Sequence, residues 1–147
     1  MTTVQGSEEW VKQRLGKVTA SVIHKVYSDK LTATKKNLMR SLALERLSGS
    51  RMSNIKTVDM ARGLAIEPLA RKAYEIATQQ KVSLVGFISH PDIKNAGASP
   101  DGLIGEKGFI EIKCLNIRNH NQIIKNKKIP KQYYYQMQFQ LACSQRE

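Results

Sequence analysis

The chain has 147 residues, of which 41% are hydrophobic and 24% charged, proportions typical of one soluble globular domain that can bury a core. Its 24 basic residues outnumber its 12 acidic ones, and the net charge of +12 indicates a polyanionic partner, most often nucleic acid. The sequence contains no apolar run long enough for a membrane span, no signal peptide, and only two cysteines. We therefore expect a cytoplasmic protein with no membrane partner and no disulfide framework.

Helices are predicted for the first third of the chain. Ser7 can cap a first helix, which Gly16 ends, because serine accepts from free backbone N–H groups and glycine tolerates the conformation that closes a helix. Thr19 or Ser21 can cap a second, short helix. A third helix is predicted over residues 34–47.

The next helical segment, residues 57–79, is interrupted by Pro68. Proline removes a helix hydrogen bond and disfavours α geometry at the preceding residue, here Glu67. The segment is therefore either one kinked helix or two helices that meet at Glu67. The Glu67 carboxylate either turns into an active site or faces solvent and pairs with Arg71 four positions later.

Strands are predicted after this helix. Residues 82–90 carry apolar side chains on both faces, which favours a central strand. Residues 99–102, Ser-Pro-Asp-Gly, form a turn. A short strand over 103–104, a loop over 105–108 and a returning strand over 109–114 then make a hairpin.

The predicted hairpin brings several polar side chains close together. Since side chains alternate along a strand, Glu111 and Lys113 share one face, and the turn can bring Asp101 close to them. Two carboxylates suit Mg²⁺ or Mn²⁺, and a lysine beside them can orient or deprotonate a metal-bound water. A surface strand with an ion pair and a turn aspartate would show the same residues.

Two segments concentrate positive charge. Residues 48–56, with Arg51 and Lys56, form a polar loop that either touches DNA or is solvated. Residues 116–131 are polar and contain lysines that can track phosphates.

A final helix is predicted after Pro130. Its apolar stripe, which includes Tyr134, predicts deep packing. Glutamines recur at every fourth position and share another face: Gln132, Gln136 and Gln140.

Four segments, in order, resemble one family. Ser99-Pro100-Asp101-Gly102 followed by Glu111-Ile112-Lys113-Cys114 resembles the PD-(D/E)XK nuclease signature, and more narrowly the lambda exonuclease-like, or YqaJ-like viral recombinase, family. Residues 14–21, 63–70 and 135–139 also resemble segments of this family. The resemblance implies a restriction-endonuclease-like α/β core, with a small central mixed sheet flanked by helices.

The resemblance also implies an activity, a Mg²⁺-dependent DNA exonuclease that degrades double-stranded ends 5′→3′ in phage-type recombination. Asp101, Glu111 and the carbonyl of Ile112 would hold Mg²⁺, for which Mn²⁺ can substitute. Lys113 would activate the attacking water, and Glu67 would complete the acidic cluster.

Other residues are expected to bind the DNA end. The resemblance assigns Arg14, Ser21 and Ser99 to the 5′-terminal phosphate, and Gln136 to the wall of the active site. A guanidinium and a hydroxyl near a helix N-terminus form an anion site. The resemblance further implies a phage or prophage protein in a bacterial host. A single-strand annealing partner and a homo-oligomer are both compatible with it.

Two rival functions stay open at this point. A PD-(D/E)XK endonuclease or junction resolvase would share the catalytic centre but cut closed circles. A non-catalytic nucleic-acid-binding module would be indifferent to Mg²⁺. We expect one nuclease domain over residues 1–147, either a minimal form or one shortened at its C-terminus.

Overall fold

The structure is a computed structural model that describes residues 3–27, 29–52 and 57–147. Lys56 of the basic loop lies outside the described residues. The helices are α1 (Glu8–Arg14), a 3₁₀ helix (Ala20–Lys25), α2 (Ala33–Ser48), α3 (Val58–Thr78), α4 (Ile117–Asn126) and α5 (Lys131–Ser144). The strands are β1 (Val18–Thr19), β2 (Val82–Ser83), β3 (Ile88–Ser89), β4 (Ala96–Ala98), β5 (Gly102–Ile104) and β6 (Gly108–Ile110). Among the described helices, none has the length and hydrophobicity needed to cross a membrane.

The strands form two three-stranded sheets. The first has the order β1-β4-β3 and is mixed, because β1 runs parallel to β4 and β3 antiparallel to it. The second has the order β2-β5-β6 and is antiparallel. The predicted hairpin is its β5–β6 pair, but the returning strand ends at Ile110 and does not extend to Cys114 as predicted. The expected mixed α/β fold, with small sheets between helices, is confirmed.

The prediction of one central strand over residues 82–90 is wrong. This segment divides into β2 and β3, which belong to different sheets. Between them, Gly86 lies against the backbone of Thr3, and Leu84 is 65% exposed. The alternation of apolar residues could not reveal this contact with the N-terminal segment.

The helix ends follow local capping chemistry. Ser7 caps α1 as predicted and accepts from the Trp10 N–H. Thr32 caps α2, which begins at Ala33, one residue before the predicted start at residue 34. Pro68 lies inside α3, which is one helix and not two. Pro68 is exposed, so the carbonyl that loses its partner lies on the solvent side, where water can satisfy it.

The core lies where α5 packs on the 3₁₀ helix and on the first sheet. Ala20, Ala98 and Cys143 form its centre, with Phe139 packed against them. Small side chains allow the backbones to approach closely. The predicted deep packing of Tyr134 is wrong, since this residue is 51% exposed.

Gly97 in the middle of β4 provides a test of this packing. A Cβ atom there would overlap the Phe87 ring and the carbonyl oxygen of Ile88. We expect Gly97→Ala to lower the free energy of unfolding by roughly 1–3 kcal/mol, the usual cost of overpacking. Gly63→Ala is the matched control, because a Cβ on this helical glycine meets nothing within 4 Å. Urea denaturation should show the control stabilised by about 0.5–1 kcal/mol, and equal effects at both positions would contradict the packing described.

Candidate active site

The β5–β6 hairpin brings Asp101 and Glu111 together. Asp101 directly precedes β5 and Glu111 directly follows β6, and the strand register pairs Gly102 with Ile110 beside them. The Asp101 N–H donates to the Ile110 carbonyl at 3.1 Å, and the Ile112 N–H donates to Oδ2 of Asp101 at 2.6 Å. Asp101 is therefore held at both its backbone and its side chain.

The pKa of Asp101 is raised far above its ordinary value. Burial raises the pKa of Asp101 to about 7, and the neighbouring charges of Glu111 and Glu67 act in the same direction. The hydrogen bond from Ile112 and the charge of Lys113 lower it by less. The carboxylates thus repel one another, and a cation bound between them would relieve the repulsion.

Glu111 is held by α5 and by Lys113, two residues later in the segment after β6. Its side chain is 6% exposed and forms an ion pair with Lys113. Gln136 donates to Oε1 of Glu111 at 2.7 Å, and Gln140 donates to Oε2 at 2.5 Å. The Lys113 ammonium also donates to Oε1 of Gln136 at 3.2 Å. The two glutamines therefore fix the orientation of Glu111.

Gln140 was not predicted as a site residue. It is fully buried, and its Oε1 has no hydrogen-bond partner among the described residues. The spacing of the glutamines along α5 was the available signal. It could not indicate that this face turns toward the hairpin instead of solvent.

Glu67 pairs with Arg71 and also lies at the site. The two residues form an ion pair along α3, and together with Asp101 they line a cleft of about 650 Å³. The predicted ion pair with Arg71 is therefore present, and Glu67 also lines the cleft on which Asp101 lies. Arg71 is a further residue that the sequence argument missed as part of the site. Its side chain is 16% exposed, and its Nε has no partner among the described residues.

The residues expected to bind the DNA end lie beside this cleft. Arg14 donates to Oγ of Ser99 at 3.1 Å, and the indole N–H of Trp10 donates to the same oxygen at 3.0 Å. With two N–H groups already bound to the Ser99 oxygen, its hydroxyl proton is left to donate elsewhere. The Arg14 guanidinium also stacks 4.1 Å from the centre of the Trp10 ring. Ser99 thus connects this cluster with Asp101, two residues later.

Arg14 and Ser21 line a smaller cavity of about 160 Å³, which we call the anion pocket. The Ser21 hydroxyl lies 3.1 Å from that of Thr19, which also lines the pocket. Burial and, to a smaller extent, the nearby charge of Arg51 together lower the pKa of Arg14 to about 10. The structure therefore brings Arg14, Ser21 and Ser99 to one place.

The acidic residues suit a divalent cation. In the described ranges, no three His, Cys, Asp or Glu side chains form a complete metal cage. Asp101, Glu111 and the Ile112 carbonyl offer only oxygen ligands. After burial, the charges of Glu111 and Glu67 also raise the pKa of Asp101, so a bound cation would offset this repulsion. Mg²⁺ fits such a set, because it binds through one or two carboxylates and keeps several waters.

The architecture is that of the PD-(D/E)XK nucleases, since a hairpin in a mixed α/β fold presents the acidic pair beside its lysine. The chain belongs to the YqaJ-like viral recombinase domain family, whose sequence model matches residues 9–147.

Two solved structures are similar to the chain over most of its length. Both are of the alkaline exonuclease LHK-Exo, described as from Laribacter hongkongensis, and one is a complex with dAMP. Both are 45% identical to this chain, and their TM-scores are 0.90 and 0.89. Each match covers 96% of this chain and 70% of the LHK-Exo chain. None of the curated proteins matches the chain.

Proposed function

We propose that this chain is a Mg²⁺-dependent exonuclease that removes nucleotides 5′→3′ from double-stranded DNA ends. Its general class, a DNA exonuclease of the phage recombination type, follows from its family and from the alkaline exonuclease structures. The observation that carries the finer proposal is the connection between the two subsites. Ser99 contacts Arg14 of the anion pocket and stands two residues before Asp101 of the acidic site.

In this proposal, Asp101, Glu111 and the Ile112 carbonyl would hold Mg²⁺, which when bound supplies Lewis-acid polarisation of the phosphate and a more acidic water. Lys113 would hold the attacking water, because its ammonium lies beside oxygens of Glu111 and Gln136 and is 31% exposed. Glu67 adds a third carboxylate from α3.

The reaction is hydrolysis of the first internal phosphodiester. Water attacks the phosphorus and the P–O3′ bond breaks, so a 5′-mononucleotide leaves with a 3′-hydroxyl group. The remaining strand carries a new 5′-phosphate, which the anion pocket can bind in the next cycle. The binding of dAMP by LHK-Exo supports a mononucleotide product here.

The biological setting is part of the proposal. Resection 5′→3′ leaves a 3′ single strand, and a single-strand annealing protein is the partner that would bind this product. The family supports action in a phage or prophage context, in the cytoplasm of a bacterial host.

Polarity can be tested with a linear duplex that carries different labels at its 5′ and 3′ ends. The proposal requires the 5′ label to appear first, as a mononucleotide, in the presence of Mg²⁺. Earlier release of the 3′ label would overturn the polarity but leave the exonuclease class intact.

Arg14 is expected to determine the preference for a phosphorylated end. Because charge-assisted bonds from a guanidinium to a phosphate are strong, we expect Arg14→Ala to lower kcat/KM on 5′-phosphorylated duplex by about 10- to 100-fold. The rate on 5′-hydroxyl duplex should change little. Lys12→Ala, an exposed residue of the same helix, is the control. An equal loss on both substrates would show that Arg14 acts on folding or on general DNA affinity.

A further inference from the structure

The anion pocket and the acidic cleft share a wall. Three residues line both cavities: Trp10, Val11 and Arg51. Val11 is apolar, and the Trp10 N–H is already bound to Ser99. Arg51 is therefore the charged residue common to both cavities, and the function proposed above gives it no role.

The position of Arg51 is set by hydrogen bonds on either side of it. Gly49 ends α2 in the left-handed region, with φ of 65°, and turns the chain back. One oxygen of Glu45 accepts from the Met52 N–H at 3.3 Å, and the other accepts from the Gly16 N–H at 2.9 Å. The carboxylate thus ties the segment that carries Arg51 to the turn after α1, close to Arg14.

The guanidinium of Arg51 is available to a ligand. No carboxylate or carbonyl of residues 3–27, 29–52 and 57–147 accepts a hydrogen bond from it, whereas the carboxylate of Glu45 is engaged by two N–H groups. The two guanidinium groups also repel each other, and this repulsion contributes to the lowered pKa of Arg14. A bound anion would remove that cost.

The charge and the size of the pocket suit a phosphomonoester. Arg14, Lys17 and Arg51 contribute three positive charges, and Glu45 one negative charge. The resulting excess of two matches a terminal phosphate, which carries about −1.5 to −2 at neutral pH. The pocket volume of about 160 Å³ is roughly ten times what a single water requires.

We propose that Arg51 is a second guanidinium of the anion pocket, which binds the terminal phosphomonoester from the cleft side and, with Arg14, selects a dianionic end over a hydroxyl end. This proposal rests on the proposed function, because it concerns recognition of the DNA end. It adds a residue from the loop after α2 that family resemblance did not supply.

Binding without catalysis tests this assignment. Fluorescence anisotropy in EDTA would compare the affinities for one duplex with a 5′-phosphate or a 5′-hydroxyl end. We expect Arg51→Ala to weaken binding of the phosphorylated duplex by about 10-fold or more and binding of the hydroxyl duplex by less than about 2-fold. Arg51→Lys should recover part of the preference, since it keeps the charge but loses the bidentate fork.

Arg40→Ala is the matched control, because Arg40 is exposed on α2 and lines neither cavity. If Arg51→Ala loses a similar amount of affinity for both duplexes, Arg51 makes a general electrostatic contact and the assignment is overturned. Unchanged affinity for both duplexes would also overturn it. Digestion by the wild-type protein is measured separately with Mg²⁺. If the wild type fails to degrade linear DNA, the proposed function falls, whereas the binding comparison still decides the role of Arg51.

Discussion

Replacement of Lys113 by alanine is expected to reduce the rate of DNA hydrolysis by about 10²- to 10⁴-fold, the range for loss of a positioned proton-transfer or charge-stabilising group. The Lys113 ammonium pairs with Glu111, donates to Oε1 of Gln136 and is 31% exposed, so it stays accessible beside the acidic residues. DNA binding should persist, because the anion pocket is built from other residues. Initial rates on linear duplex, with parallel affinity measurements in EDTA, would separate the two effects.

The control is Lys107→Ala, which removes a lysine from the loop of the same hairpin. Lys107 is exposed and pairs with Glu147 at 2.9 Å, away from the acidic residues. Its rate should stay within about 2-fold of the wild type, as expected for a screened surface pair. A Lys113→Ala protein that is folded and retains more than about a tenth of the wild-type rate would contradict the catalytic role.

Replacement of Asp101 by asparagine is expected to stabilise the metal-free protein while abolishing metal binding. The pKa of Asp101 is raised from its ordinary value of 3.8 to about 7, chiefly by burial, so ionising it in the folded state costs free energy. This cost is present in full above pH 7 and disappears as the pH falls below 3.8, where the carboxyl becomes protonated in both states. Asparagine carries no charge, and its side-chain oxygen can still accept from the Ile112 N–H.

The expected gain at pH 8 is on the order of 2–4 kcal/mol, since each pKa unit corresponds to about 1.4 kcal/mol. Thermal denaturation in EDTA at pH 8 and at pH 5 would measure the stability of the variant relative to the wild type. We expect the variant to gain less stability at pH 5 than at pH 8. Calorimetric titration with Mg²⁺ should show no binding to the variant.

Asp92→Asn serves as the control for Asp101, because Asp92 is an exposed turn residue whose N–H donates to His90 at 3.1 Å. It should change neither stability nor metal affinity. A destabilised Asp101→Asn protein at pH 8 would contradict the electrostatic account of the site.

The sequence could predict the parts of the site that are local. Asp101, Glu111 and Lys113 lie within thirteen consecutive positions, so the turn at residues 99–102 and the hairpin after it suffice to group them, although Glu111 and Lys113 lie just beyond the end of β6. The contact between Arg14 and Ser99 joins residues 85 positions apart. No local pattern indicates such a contact, and only the family resemblance suggested it.

Gln140 and Arg71 were missed for tertiary reasons, because they lie on helix faces whose orientation depends on packing. The sequence left open whether Arg51 touches DNA, and its position beside Arg14 depends on the Glu45 hydrogen bonds. In contrast, α4 was missed although its signal was present. Asn116 caps this helix by accepting from the Asn119 N–H, and an asparagine before a helical segment is a local start signal.

The most direct test of the account is Mg²⁺-dependent digestion of a linear duplex with 5′-phosphate ends, compared with a closed circle of the same sequence. We expect the wild-type protein to degrade the linear duplex and to leave the circle intact. Lys113→Ala should abolish the digestion. Cleavage of the circle would identify an endonuclease. No cleavage of either substrate, with Mn²⁺ as well as Mg²⁺, would contradict the account and leave a nucleic-acid-binding module.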